Sequence, residues 1–86
     1  MAGYHLKHIP RGSLGDSSKI EEELHELQDA EEQGIKILML CELSDLVGAI
    51  DAYLAKHFPE ISLKDLEDMS YATKRAFLSG ARPSKD

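Results

Sequence analysis

The chain lacks most of what marks the commoner functional classes. It has one cysteine, Cys41, so no intrachain disulfide can form, and its place in the apolar run Ile37 to Cys41 reads as a reduced, buried small hydrophobe. There is no G-x-x-x-x-G-K-[ST] phosphate loop and no Cys/His set with zinc spacing, and the lone thiol has no obvious base partner. Positive charge is scarce: 10 Lys and Arg stand against 16 Asp and Glu, a formal net charge of -6. That balance excludes a surface that coats a nucleic acid polymer, which needs a clustered basic face. It also repels a polyanionic ligand, so any phosphate must arrive with metal or meet a local patch of Lys and Arg. Apolar runs are far too short to cross a bilayer, and no charged segment followed by an apolar one opens the chain. A soluble, cytoplasmic protein with no membrane partner is expected, with room in 86 residues for one small domain.

What is present is helical periodicity. Residues 1–17 hold Gly3, Pro10, Gly12 and Gly15 with no sustained period and read as an irregular arm. His5, Lys7, His8 and Arg11 in this arm are within reach of a ligand, but no partner spacing marks the histidines as metal ligands, and a solvated arm without a metal role is expected. A helical domain over 18–80 follows, then a polar tail over 81–86. The first helix should start after Ser18, with Ser18 and Glu21 forming a capping box, and end near Gly34. The second should run from about Ile35 to about Lys56, stopping before His57-Phe58-Pro59. Ser62 and Asp65 should cap the third, whose core stripe is Leu63, Leu66, Met69, Thr73, Ala76 and Phe77 and which Gly80 ends. The fold class is therefore all-α, a bundle of three main helices. Its second helix is apolar nearly all round. Two other helices cannot hide Leu40, Leu43, Leu46, Val47, Ile50 and Leu54 together, so oligomerisation should complete the bundle.

Two acidic clusters interrupt this apolar pattern. At about 100 degrees per residue, Ile20, Leu24 and Leu27 make a narrow stripe with Glu23 and Glu26 on its shoulder, while Glu22 turns toward water. Glu31 falls on the apolar side. On the second helix Glu42 and Asp45 share a face with Leu38, Ala49, Ala52 and Tyr53, so burial of that face takes both carboxylates out of water. Buried carboxylates three residues apart repel one another and need a positive partner, for which a divalent cation is the economical choice. Glu22 and His25 form one E-x-x-H, but the second copy that a di-iron bundle uses is missing, so an oxygen-only site for Mg²⁺ or Mn²⁺ is favoured over iron. His25 itself reads as a surface residue.

Glu23-Leu24-His25-Glu26, residues 27–41 and Glu42-Leu43-Ser44-Asp45 together resemble the E-x-x-E, spacer, E-x-x-D pattern of the MazG-like nucleoside triphosphate pyrophosphohydrolases. The flanks are similar too, with Glu-Glu-x-x-Glu-Leu at 22–27, Ala30, and a Leu after the final Asp; Ser44 departs from the Gly that many members carry. The resemblance covers about residues 12–80. It implies that Glu23, Glu26, Glu42 and Asp45 hold Mg²⁺ or Mn²⁺ and that a nucleoside triphosphate is cleaved between its α- and β-phosphates; of the carboxylates, Glu26 is our choice for the acceptor of the attacking water's proton. Phosphoribosyl-ATP is an alternative substrate, and the assembly would be a homodimer or homotetramer. Because the family often places basic residues late in the third helix, Lys74 and Arg75 become candidate phosphate contacts, with Lys19 beside the first acids as another. Two other functions remain open: a non-catalytic helical dimerisation module with a structural ion, and a metal-binding regulatory subunit.

Overall fold

The computed structural model describes residues 5–78, with side chains for residues 5–74. Helices α1 (Ser17–Gln33), α2 (Lys36–His57) and α3 (Leu63–Leu78) follow one another without a strand among the described residues, an all-α chain. Gly80, the 81–86 tail and the side chains of Arg75, Ala76 and Phe77 lie outside the described residues.

Each helix end has a local cause. Gly34 closes α1 in the left-handed region at φ 73°, and its N–H bonds both Ala30 O and Glu31 O at 3.0 Å. A Cβ there would meet nothing within 4 Å, so conformation rather than space requires the glycine. Helix α2 stops at the residue before Phe58-Pro59, with Phe58 N–H still bonded to Leu54 O at 2.7 Å. The Ser62–Asp65 capping box forms as expected: Ser62 N–H donates to Asp65 Oδ2 at 2.8 Å and Asp65 N–H donates to Ser62 Oγ at 3.2 Å. The Ser18 box does not. Asp16 is the N-cap of α1, and Ser18 Oγ instead accepts from Ser13 N–H at 3.0 Å, because the arm folds back over the start of the helix.

The two-residue connection Gly34-Ile35 makes α1 and α2 an αα-hairpin, whereas α3, among the described residues, touches α2 lightly and not α1. The Cα radius of gyration is 15.3 Å, against about 12 Å for a compact domain of this length. The buried set is correspondingly small: among the described residues the buried apolar ones are Ala30, Leu38, Ala49 and Leu54. An equal number of acids joins them, Glu23, Glu26, Asp29 and Glu42. Helix α1 thus turns its acidic side inward, and Leu24, expected on the core stripe, is exposed. Cys41 is exposed rather than buried, and so is Met69. On α2, Leu54 finds cover within the chain, Leu46 and Ile50 are partly covered, and Leu40 (62% exposed), Leu43 and Val47 (46%) lie open.

The arm is attached to the hairpin rather than solvated. Lys7 pairs with Glu32, Leu6 N–H donates to Asp29 Oδ2 at 3.1 Å, and Gly12 N–H donates to Glu22 Oε1 at 2.8 Å. Gly12 passes so close to α1 that a Cβ would lie 2.1 Å from Ser18 O, a backbone atom that cannot step aside. Gly12→Ala should therefore lift the arm and cost roughly 1–3 kcal/mol of stability, read as a lower melting temperature by circular dichroism with the helical signal kept. An unchanged melting curve would contradict this seating of the arm.

Candidate metal centre

The hairpin brings the two acidic clusters face to face. Each cluster places its carboxylates three residues apart, on one side of its helix, and the tight turn at Gly34 sets those sides against each other. Glu23, Glu26, Glu42 and Asp45 each offer a carboxylate oxygen, and these four atoms lie within 4.8 Å of one another. Glu23, Glu26 and Glu42 are buried; Asp45 is exposed at the rim, contrary to the expectation that both acids of α2 leave water. One oxygen, Glu42 Oε1, is buried with no hydrogen-bond donor. A buried acceptor without a donor is costly and is satisfied by a proton or a cation.

The electrostatics carry the same strain. Burial, then the shared proton and negative charge of Glu26, raise the Glu23 carboxyl from 4.5 to about 8. Burial and the charge of Glu26 likewise raise Glu42, against a smaller opposing effect of His5. Folding therefore tightens a proton at Glu23, so the stability this contributes is complete below about 4.5 and lost as pH rises through about 8. Metal-free protein should melt at a lower temperature at pH 8.5 than at pH 6. Glu23→Gln should flatten that slope, and an equally steep slope in the variant would contradict the assignment. Asp29 and Glu22 act in the opposite sense, but below their ordinary values of 3.8 and 4.5, outside this window.

Several residues depart from the sequence reading. Glu22 does not point to water: burial raises its carboxyl, but Gly12 N–H and Lys19, at 3.1 Å, outweigh this and lower it. Lys19 shares a cleft with Leu14, Glu22, Glu23, Ser44, Asp45, Gly48 and Ala49, beside the acids. Lys74 instead lines an apolar groove between α2 and α3 with Ile50, Leu63, Leu66 and Tyr71, whose walls include none of the four acids. His25 is exposed, as expected.

Two residues were missed. His5 was expected in a solvated arm, yet its side chain is 4% exposed and Nε2 lies 2.8 Å from Glu42 Oε2 and 3.9 Å from Glu26 Oε1. Asp29, buried one helical turn beyond Glu26, accepts from His5 Nδ1 at 2.9 Å, from Leu6 N–H and from Gln33 Nε2 at 3.0 Å. Burial raises the Asp29 carboxyl, but these bonds together outweigh it and hold the group below its ordinary value. The positions Glu22, Glu26 and Asp29, at i, i+4 and i+7, were the available signal for Asp29. The chain matches no family model, no curated protein and no solved structure.

Proposed function

We propose that this chain is a divalent-metal-dependent nucleotide pyrophosphohydrolase of the MazG-like type, cleaving a nucleoside triphosphate to its monophosphate and pyrophosphate. The observation that carries the reading is the convergence of four carboxylate oxygens within 4.8 Å, one of the acids holding a buried oxygen without a donor. That orphaned oxygen and the all-oxygen donor set of these acids fit Mg²⁺ or Mn²⁺, held by Glu23, Glu26, Glu42 and Asp45. When bound, such an ion neutralises phosphate charge and lowers the pKa of water.

The chain's own residues do the rest. Glu26 is buried among the acids yet also lines an open cleft of about 540 Å³ with Glu22 and the arm residues His5, Lys7, His8, Ile9 and Arg11. It is therefore the acid positioned to accept a proton from an attacking water. Lys7 and Arg11 bring positive charge to the mouth of that cleft, which offsets the repulsion a chain of net charge -6 exerts on a polyphosphate. Lys19, in the cleft on the other side of the acids, is a second candidate contact. A homodimer or homotetramer supplies cover for the open apolar side of α2, and Lys74, whose groove includes none of the four acids, would meet a phosphate at the acids of a partner copy.

Incubation with a panel of nucleoside triphosphates and phosphoribosyl-ATP, with Mg²⁺, tests the reading by pyrophosphate release. Release that needs the ion supports it, and no release from any nucleotide, with metal binding intact, would replace it by a non-catalytic metal-binding helical module. Arg11→Ala should raise KM about tenfold with little change in kcat, as expected when a phosphate contact is lost from both ground and transition states.

A further inference from the structure

The acids are not the whole donor set at this centre. His5 Nε2 and carboxylate oxygens of Glu26 and Glu42 also lie within 4.8 Å of one another, so His5 meets the four-acid cluster at the two acids they share. With ion-to-ligand distances near 2.1 Å, ligand atoms around one ion lie up to about 4.2 Å apart, so only a slight contraction would close the set.

We propose that His5 is a nitrogen ligand of the ion bound by Glu26 and Glu42, held in place by Asp29, making this a mixed carboxylate–imidazole centre selective for Mn²⁺ over Mg²⁺. The inference rests on the metal-centre reading above and adds a residue from the arm to it. The geometry is that of a metal-binding histidine with its orienting carboxylate. Asp29 Oδ2 accepts from Nδ1–H at 2.9 Å, which leaves the Nε2 lone pair facing Glu26 and Glu42. Asp29 is itself fixed by Leu6 N–H and Gln33 Nε2, so the ring is aimed by a network rather than by one contact. Nε2 and Glu42 Oε2 lie 2.8 Å apart, facing each other. A divalent cation would be held by both residues, and the donorless Glu42 Oε1 lies on the same carboxylate. Imidazole suits first-row transition ions, whereas Mg²⁺ prefers oxygen ligands and water.

The test is pulsed electron paramagnetic resonance of the full chain loaded with less than one equivalent of Mn²⁺, together with Mn²⁺ and Mg²⁺ titrations. Nitrogen coupling to Mn²⁺ is expected in the parent protein and in His8→Gln, and its loss in His5→Gln. Affinity for Mn²⁺ should fall about 10–100-fold in His5→Gln and about tenfold in Asp29→Asn, with a much smaller change for Mg²⁺. Should His5→Gln fail to fold, the coupling in the parent and its weakening in Asp29→Asn still decide the matter. Mn²⁺ bound without nitrogen coupling would overturn the role of His5 and leave the carboxylate centre standing. No Mn²⁺ binding by the parent would overturn the metal centre itself, and this inference with it.

Discussion

Glu42→Gln is expected to abolish metal-dependent turnover while raising the melting temperature of the metal-free protein. The two effects share one cause. Glu42 is 3% exposed, near Glu26, with one oxygen lacking a donor, so without an ion its charge opposes folding, and burial and Glu26 together outweigh the help from His5. Replacing a buried charge by a neutral group of the same shape relieves roughly 1–2 kcal/mol, which in a domain of this size corresponds to several degrees of melting temperature. In the proposed metal site the same change replaces a carboxylate ligand by a neutral amide. Residues that merely orient a ligand cost about 10–100-fold when lost, so loss of the ligand itself should exceed about a hundredfold. Pyrophosphate release and a thermal melt on the same preparation check both halves. Turnover kept, or a lower metal-free melting temperature, would show that Glu42 is an ordinary buried acid with a partner of its own.

The second large effect concerns assembly. Ile37, Leu40, Leu43 and Val47 leave a continuous apolar strip along α2, with the Cys41 thiol exposed alongside, uncovered by the described residues. Burying such side chains is worth about 1.5–3 kcal/mol each when complete, so covering their open portions contributes on the order of 5 kcal/mol. That is comparable with the whole stability of a small domain. Melting temperature should accordingly rise with protein concentration. Val47→Asp, harmless on a monomer because the residue is 46% exposed there, should give an unfolded or aggregated chain. Sedimentation of a folded monomer at micromolar concentration, unaffected by the substitution, would contradict the expectation.

The fold was readable because its signals are local. Gly34, Pro59 and the Ser62–Asp65 pair act within one turn of where they sit, and the helix limits follow from them. The meeting of the four acids was readable for a related reason: three-residue spacing on two helices joined by a two-residue turn leaves few other arrangements. What a helical wheel does not reveal is which side a neighbour covers. The Ile20-Leu24-Leu27 stripe looked like the inward side of α1, yet the acids and Asp29 face α2, and Leu24 is left at the surface. His5 was illegible for the opposite reason. Its contacts to Asp29 and Glu42 span 24 and 37 residues, and no period in an irregular arm points to them. The Ser18 capping box failed for the same non-local cause, since Ser13 N–H reached the hydroxyl first.

Whether Glu23, Glu26, Glu42 and Asp45 act as one metal site is decided by a Mn²⁺ binding cycle. The free-ion resonance signal would be followed during titration of the parent, Glu23→Gln, Glu42→Gln and the double variant. Ligands of one ion are coupled, so each single change should remove most of the affinity and the double change should cost little more. Binding that survives Glu42→Gln, or losses that multiply as independent effects do, would show that the two acid pairs do not share an ion.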